Sequence, residues 1–296
     1  ISRLNQSERH RCNNYGMQFE TISQNDLKTV IVIPARNEAA HIVQTIADLR
    51  QGNPTMPIWV FDGQSDDATA DMVHNVACTD QNLRLFPNPD KSQAHALNLA
   101  AKLANTEGFE IIIRADAHAR YPIGFATALT NLIYSTGAKS VVVPLCAIQT
   151  CEAPWQQANA NLQRSWLGHG GAHHRKTGLS GWVAHGHHAA FQLNWFLQQG
   201  GYDTNLLACE DVVFDHNSIQ QGGRIWLAAD WPVSYLPRPT LRATARQMFR
   251  NGKARMQIAK HHQVVLGLRQ YLPVFAFVSA LFAPLYFLAP IFVLPA

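Results

Sequence analysis

Residues 109–122 read Phe-Glu-Ile-Ile-Ile-Arg-Ala-Asp-Ala-His-Ala-Arg-Tyr-Pro. The three isoleucines form a short apolar β-branched run, which is typical of a strand buried on both faces. The run ends in the polar sequence Arg114-Ala-Asp116-Ala-His118. An acid and an imidazole at the carboxyl end of a buried strand suit a divalent metal and the phosphate that it holds. A polar loop that only caps the strand would give the same pattern, so the rest of the chain must decide between the two.

The composition bounds the class of protein. A chain of 296 residues can bury a sizeable core and form one large domain or two small ones. The net charge of +4 is small and widely spread, which argues against a nucleic-acid partner. The five cysteines are odd in number and contain no C-x-x-C pair, which favours a reducing compartment and buried thiols.

Apolar strands alternate with amphipathic helices in the first half of the chain. The predicted strands are Thr29–Ile33, Ile58–Phe61, Leu83–Phe86, Ile111–Ile113 and Ser140–Leu145. The predicted helices are Glu38–Arg50, Thr69–Ala77, Ser92–Ala104 and Ile123–Tyr134, with another at Val212–Gln220. This order predicts an α/β fold with a mostly parallel sheet and helices on both faces.

Polar segments follow four of these strands. They are Pro34-Ala-Arg-Asn-Glu38, Asp62-Gly-Gln-Ser-Asp-Asp-Ala-Thr69, Asn88-Pro-Asp-Lys91 and the Arg114–His118 segment. In sheets of this kind ligands bind outside the carboxyl ends of the strands. Four such ends in register therefore predict one binding crevice.

Several motifs carry a resemblance to a known family. The run Val32-Ile-Pro-Ala-Arg-Asn-Glu38 and the Asp62–Thr69 segment resemble family 2 glycosyltransferases of the GT-A fold, over roughly residues 29–260. Asp116-Ala-His118 resembles the D-x-D metal motif of that family, and Glu210-Asp211 its acceptor-side E-D motif. Residues 116–122 and 184–191 are closer still to the succinoglycan glucosyltransferase branch.

The resemblance implies a nucleotide site at the first two strand ends. Asp62 would accept a hydrogen bond from a uracil imide N–H. The same nucleoside would be flanked by Glu38 and by the backbone of Pro34, Ala35 and Arg36. A tight turn at Asp62 and helix capping by the residues after it would also account for this segment.

The diphosphate and its metal would lie beside the nucleoside. Lys91 and Arg114 would either contact the diphosphate or form salt bridges. Asp116 and His118 would bind Mg²⁺ or Mn²⁺, and the imidazole makes the ligand set softer, so Mn²⁺ is expected to serve at least as well as Mg²⁺.

Glu210 and Asp211 are the candidate catalytic carboxylates. By the resemblance, Asp211 takes a proton from the acceptor hydroxyl as it attacks the anomeric carbon, and Glu210 orients the acceptor. A single displacement inverts the configuration at that carbon. From the residues alone, the same pair is an ordinary N-cap at a helix start.

Six histidines lie between residues 169 and 188. They are His169, His173, His174, His185, His187 and His188. Their spacing is irregular for zinc. We expect His185, His187 and His188 to line the acceptor side and bind sugar hydroxyls or a lipid diphosphate. Ala184 departs from the family pattern, in which an Asp is frequent, and this puts acceptor handling in doubt.

A basic segment and an apolar one end the sequence. Gln247 and Arg250 match the Q-x-x-R-W motif of processive relatives, but Asn251 replaces the tryptophan, which favours addition of a single sugar. Arg250 would clamp the diphosphate, or the basic face would be solvated or lipid-facing. Tyr271–Ala296 has no charge and four prolines, as in a kinked membrane segment or a buried hairpin.

These observations predict four regions. They are a lead-in (residues 1–28), a GT-A domain (29–240), a basic interfacial region (241–270) and a membrane-associated segment (271–296). Within the GT-A domain, the donor half is residues 29–145 and the acceptor half is residues 146–240.

The predicted function is metal-dependent, inverting transfer of one sugar from a UDP-sugar, such as UDP-glucose, to a lipid-linked saccharide. The reaction would serve exopolysaccharide assembly at the cytoplasmic face of the inner membrane. The alternatives are an impaired nucleotide-binding scaffold, suggested by His118 and Ala184, and a nucleotidyltransferase, which would need glycines after the first strand.

Overall fold

The computed structural model describes residues 28–148, 154–165, 179–206, 208–261, 271, 274–279 and 281–282. The strands are β1 Thr29–Ala35, β2 Ile58–Asp62, β3 Leu83–Pro87, β4 Ile111–Arg114, β5 Ala119–Arg120, β6 Ser140–Val143, β7 Leu145–Ala147, β8 Gly181–Val183, β9 His187–Gln192, β10 Ile225–Leu227 and β11 Val233–Tyr235. The helices are α1 Ile42–Arg50, α2 Thr69–Ala77, α3 Gln93–Thr106, α4 Phe125–Thr136, α5 Pro154–Arg164, α6 Leu193–Gln198, α7 Glu210–Gln220 and α8 Leu241–His261.

The strands form an eight-stranded sheet of order β3-β2-β1-β4-β9-β6-β10-β8 and a three-stranded sheet of order β5-β11-β7. The side chains of β1 alternate between two apolar cores. Ile31 and Ile33 pack on the face covered by α1, α2 and α4, whereas Val30 and Val32 pack on the face covered by α3, α6 and α7. Because both faces are covered, the strand is apolar from Val30 to its end at Ala35.

The sheet is parallel only in part. Strands β3, β2, β1 and β4 run parallel, as predicted. Beyond β4 the sheet is mixed: β9 is antiparallel to both β4 and β6, and β8 is antiparallel to β10, whereas β10 is parallel to β6. Between β6 and β9 the chain forms β7 of the small sheet, α5, and β8 at the edge of the large sheet, so no single crossover helix joins β6 to β9 and the rule that makes such units parallel does not apply.

The predicted strand Ser140–Leu145 is two strands. Pro144 separates β6, which belongs to the large sheet, from β7, which belongs to the small one. Proline has no backbone N–H and cannot continue a central ladder. Its carbonyl accepts instead from Val233 N at 2.9 Å, which brings β11 against β7.

A bulge in β9 redirects the histidines of the segment 184–191. Ala190 lies opposite Val141, but His188 lies opposite Val142, so Ala189 is an extra residue in the ladder. The extra residue puts His188 on the same face as Phe191, three positions later, inside the aromatic core.

The basic region begins with a long helix. α8 packs through buried Ala254 and Ile258, and its Thr244 hydroxyl accepts hydrogen bonds from Trp155 and Asn159 of α5. Within the described ranges, no helix has both the length and the apolar character needed to cross a bilayer. Most of the predicted segment 271–296, and residues 1–27 of the predicted lead-in, lie outside those ranges.

Gly186→Ala tests the close contact at the start of β9. A Cβ at this position would lie 2.6 Å from Val142 Cγ2, so the substitution should destabilise the protein by about 1–3 kcal/mol in urea unfolding. Gly181→Ala in β8 is the matched control, because its Cβ would meet no atom within 4 Å, and it should change stability by less than about 0.5 kcal/mol. Equal effects of the two substitutions would contradict the packing described here.

Candidate functional site

Uncommon backbone conformations gather at the predicted crevice. Within the described part of the chain, the non-glycine residues with left-handed backbone angles are Asn37 (φ 56°), Gln64 (φ 55°), Lys91 (φ 61°) and Cys209 (φ 63°). The first three lie in the loops after β1, β2 and β3, and the fourth directly precedes α7. Such conformations cost about 1–3 kcal/mol each and cluster at binding sites.

The loops after β1 and β2 are hydrogen-bonded to each other. The Asp62 carboxylate accepts from Ser65 N at 3.1 Å and from Ser65 Oγ at 2.5 Å. Ser65 Oγ in turn accepts from Asn37 N, and Asn37 Oδ1 accepts from Asp66 N. The turn predicted at Asp62 is therefore present, and each oxygen of an ionised carboxylate has a second lone pair for a ligand N–H. Arg36 and Glu38 extend from the same loop.

Asp116 lies at the centre of the crevice. Its Oδ1 accepts from Gln93 Nε2 at 3.0 Å and from the Arg114 guanidinium at 3.3 Å, and its Oδ2 lies 3.3 Å from His187 Nε2. Burial alone would raise the pKa of Asp116, but the charge of Arg114 and the contact with His187 hold it well below its ordinary value. Asp116 is therefore an anion at neutral pH. Its backbone N–H donates to Tyr121 Oη at 2.6 Å, which fixes the loop.

His118 pairs with a carboxylate from another loop. Its Nδ1 lies 2.9 Å from Glu38 Oε1. This hydrogen bond raises the pKa of His118, although burial opposes the shift. Histidines that bind metals commonly give one ring N–H to a carboxylate and coordinate through the other nitrogen. Glu38 therefore connects the loop after β1 to the D-x-H segment.

The chemistry of this donor set fits a divalent cation that is shared with a nucleotide. Asp116 supplies an anionic oxygen, and His118 supplies a ring nitrogen whose tautomer Glu38 can set. Within the described ranges, no group of three or more His, Cys, Asp or Glu side chains converges to hold an ion. Phosphate oxygens and water would complete the coordination, as they do at the Mg²⁺ sites of nucleotide enzymes.

Arg114 was predicted either to contact the diphosphate or to form a salt bridge. In the structure it forms a salt bridge with Asp116. The side chain is 8% exposed and contacts Asp116 and Tyr202. Its Nε is buried without a partner among the described residues. Lys91, by contrast, is exposed in the loop that precedes α3.

The three histidines predicted on the acceptor side separate in the structure. His187 faces Asp116, one of the predicted metal ligands. His188 has no exposed surface, and its prediction as an acceptor contact is corrected: the β9 bulge turns it into the aromatic core. His185 is partly exposed, and its Nδ1 lies 2.7 Å from Asp215 Oδ2 on α7.

The carboxylates Glu210 and Asp211 occupy the first turn of α7, where the helix dipole favours negative charge. Both act electrostatically on Arg114 and Tyr202, so α7 presents them toward the Asp116 side of the sheet.

The cations near the site are not the ones that the sequence predicted. Gln247 is half-buried and Arg250 is exposed on α8. The positive charges that act on His185 and His118 are instead those of Arg255 on α8 and of Arg238. Arg238 lies in the segment between β11 and α8, where no motif marked it.

Further residues of the site were not predicted at all. They are Gln93, Tyr121, Tyr202 and Asp215. The only sequence signal was the spacing of Asp215 four residues after Asp211, which puts both on one helix face.

Comparison with known proteins agrees with this architecture. Residues 30–198 match the family described as glycosyl transferase family 2. The succinoglycan biosynthesis protein ExoA of Rhizobium meliloti (strain 1021) is 36% identical over 248 residues, which cover 83% of this chain and 74% of that protein. The chain therefore belongs to glycosyltransferase family 2.

Solved structures share the fold at low identity. The mannosyltransferase PcManGT of Pyrobaculum calidifontis, in complex with GDP-Man and Mn²⁺, superposes with a TM-score of 0.58 at 21% identity, covering 83% of this chain and 67% of that one. GalNAc-T7 with UDP, GalNAc and Mn²⁺ gives 0.54 at 16% identity, covering 72% of this chain and only 44% of that one. Together they establish a GT-A-like fold.

The substitution Glu38→Gln tests the pairing of Glu38 with His118. The measurement is thermal melting as a function of pH, in EDTA so that no metal is bound. The raised pKa of His118 means that the pair stabilises the protein fully below the unfolded imidazole pKa of about 6.5 and loses that effect as the pH rises through the folded value. The melting-temperature difference between wild type and Glu38→Gln should be largest near pH 5.5 and shrink toward pH 8.5.

Glu107→Gln is the control for this measurement. Glu107 pairs with Arg84 and not with a histidine, and arginine side chains in general stay charged in proteins, so the difference between Glu107→Gln and wild type should stay constant with pH. A difference for Glu38→Gln that was equally constant would contradict the assigned pairing.

Proposed function

We propose that this chain transfers one sugar from a UDP-sugar, such as UDP-glucose, to a lipid-linked saccharide during exopolysaccharide assembly. The observation that carries the proposal is the ionised Asp116 beside His118 at the sheet edge, with the α7 carboxylates directed to the same side. The likeness to a succinoglycan biosynthesis protein supports the pathway, and neighbours with bound nucleotide, sugar nucleotide or Mn²⁺ support the kind of donor.

The donor would lie across the ends of β1, β2 and β4. Asp62 accepts a hydrogen bond from the imide N–H of uracil, and the backbone of Pro34 and Ala35 at the end of β1, with Arg36 after it, flanks the nucleoside. Asp116 and His118 would hold Mn²⁺ or Mg²⁺, and the bound ion would offset the charge that develops on the leaving diphosphate. The exposed cations Lys91 and Arg238 are available to the phosphates.

The transfer step needs one base and one leaving group. Asp211 accepts the proton of the acceptor hydroxyl as that oxygen forms its bond to the anomeric carbon. The bond from the anomeric carbon to the phosphate oxygen breaks, and its electron pair leaves with the nucleoside diphosphate. A single in-line displacement inverts the configuration. Glu210 orients the acceptor.

The acceptor would reach the site from a membrane surface. α8 exposes the basic side chains Arg242, Arg246, Arg250 and Lys253 together with the apolar side chains Met248, Phe249 and Met256. Such a mixture is typical of helices that lie on anionic membranes. We place this surface at the cytoplasmic face of the inner membrane.

Substitution of the two aspartates separates donor binding from transfer. Asp211→Asn should lower transfer from UDP-sugar by about 10²–10⁴-fold and leave UDP affinity unchanged, because it removes only the base. Asp116→Asn should abolish transfer and also weaken metal-dependent UDP binding.

The exposed Asp71→Asn on α2 is the control and should behave as wild type. Full transfer by both site variants would refute the assigned roles. Nucleotide binding by a wild type that transfers no sugar would favour the scaffold function.

Sedimentation with vesicles tests the membrane surface. The double substitution Arg246→Glu and Arg250→Glu should weaken binding to vesicles of 30% phosphatidylserine by more than tenfold, since each basic residue near such a surface contributes about 1 kcal/mol. Glu substitution of the control pair Lys28 and Lys102, outside α8, should have little effect. Equal losses for both pairs, or no binding by wild type, would contradict the proposed surface.

A further inference from the structure

A continuous chain of buried polar groups runs from the acceptor helix to the donor aspartate. Asp215 of α7 contacts His188, His188 contacts Tyr202, Tyr202 contacts Arg114, and Arg114 contacts Asp116. The distances are 2.6 Å (Asp215 Oδ1 to His188 Nε2), 2.6 Å (His188 Nδ1 to Tyr202 Oη), 3.4 Å (Tyr202 Oη to an Arg114 terminal nitrogen) and 3.3 Å (the other terminal nitrogen to Asp116 Oδ1).

The hydrogen bonds of the chain have one consistent set of directions. Burial raises the pKa of Tyr202 well above its ordinary value, so its hydroxyl keeps its proton. That hydroxyl accepts from Arg114 and donates to His188 Nδ1, which leaves His188 Nε2–H to donate to the Asp215 carboxylate. The other oxygen of Asp215 pairs with His185 at the protein surface.

The surroundings of the chain are apolar. Phe191, Phe196 and Phe214 enclose the His188 and Tyr202 rings at centroid distances of 4.9–6.0 Å. His188, Tyr202 and Asp215 are at most 2% exposed. Apolar side chains of similar volume commonly stabilise a core as well as buried charged groups do. A polar chain in this place therefore needs a reason other than stability.

Its two ends supply that reason. At one end Arg114 holds the carboxylate of Asp116, and at the other Asp215 lies one turn below Asp211 on α7. We propose that Asp215, His188 and Tyr202 are positioning residues that fix Arg114, and through it Asp116, in register with the base on the acceptor helix. The inference rests on the proposed function, since it concerns how the metal ligand and the base of that reaction are held together.

Tyr202→Phe and Asp215→Asn test the proposal by electron paramagnetic resonance of free Mn²⁺, titrated into protein with saturating UDP. Groups that orient a metal ligand typically contribute 10–100-fold to metal affinity, so each variant should bind Mn²⁺ at least about tenfold more weakly than wild type. Both residues belong to the same chain of hydrogen bonds, so their effects should not add. The double variant should bind Mn²⁺ only slightly more weakly than the weaker-binding of the two single variants.

Ser218→Ala is the matched control. Ser218 is a buried residue of α7 whose hydroxyl accepts from Trp195 Nε1 at 2.8 Å, outside the chain. It should lower the melting temperature, as the test variants do, and leave Mn²⁺ affinity within twofold of wild type.

Each outcome bears on the proposal. Weaker Mn²⁺ binding by the two test variants, but not by the control, supports positioning. Test variants with a lower melting temperature but wild-type Mn²⁺ affinity overturn the positioning role and leave the proposed function intact. A wild type that binds no Mn²⁺ with UDP overturns the proposed function itself, and the positioning role with it.

Discussion

The site depends on the ion pair between Arg114 and Asp116 at the end of β4. Burial would by itself favour the protonated carboxyl, and a neutral Asp116 would not attract a divalent cation. The guanidinium of Arg114, the last residue of β4, lies two residues before Asp116 and keeps the carboxylate charged. Because β4 is buried and central in the sheet, it holds Arg114 in place. The charge of the site is thus a consequence of this ion pair and not of burial.

The loop that carries Asp116 and His118 is held on its other side by α1. Thr45 Oγ is within hydrogen-bonding distance of the carbonyls of Ala117 and Ala119, at 2.8 and 3.1 Å. Asp48 forms a bidentate pair with Arg120 and accepts from Tyr121 N. Precise sites are built on supported backbone of this kind. The helix after the first strand therefore positions the candidate metal ligands, although it contributes none of them.

The sequence was a good guide to the parallel half of the sheet and to the site residues at its strand ends. The apolar runs of β1, β2 and β4 and the polar segments after them have a fixed relation in such folds, so Asp62 and Asp116 could be placed on one edge. The antiparallel direction of β9 could not be predicted, because nothing in the residues 145–192 distinguishes a return strand from another crossover. Pro144 was the one local signal for the break between β6 and β7.

The histidine cluster shows the limit of sequence analysis most clearly. Three histidines within four residues suggested one shared role, yet a single extra residue at Ala189 directs His188 into the core while His187 faces Asp116. Bulges depend on the pairing of two strands, which is a property of tertiary structure. The partners Tyr202 and Asp215 were missed for the same reason, since they come from distant segments that meet only in the folded chain.

The central claim is that this edge of the sheet binds a nucleotide through a divalent metal. Calorimetric titration of the protein with UDP, GDP and ADP, each with Mn²⁺ or with EDTA, tests it most directly. The account predicts tight binding of UDP with Mn²⁺, loss of that binding in EDTA, and much weaker binding of GDP and ADP. Binding of UDP with equal affinity in EDTA, or of no nucleotide at all, would contradict it.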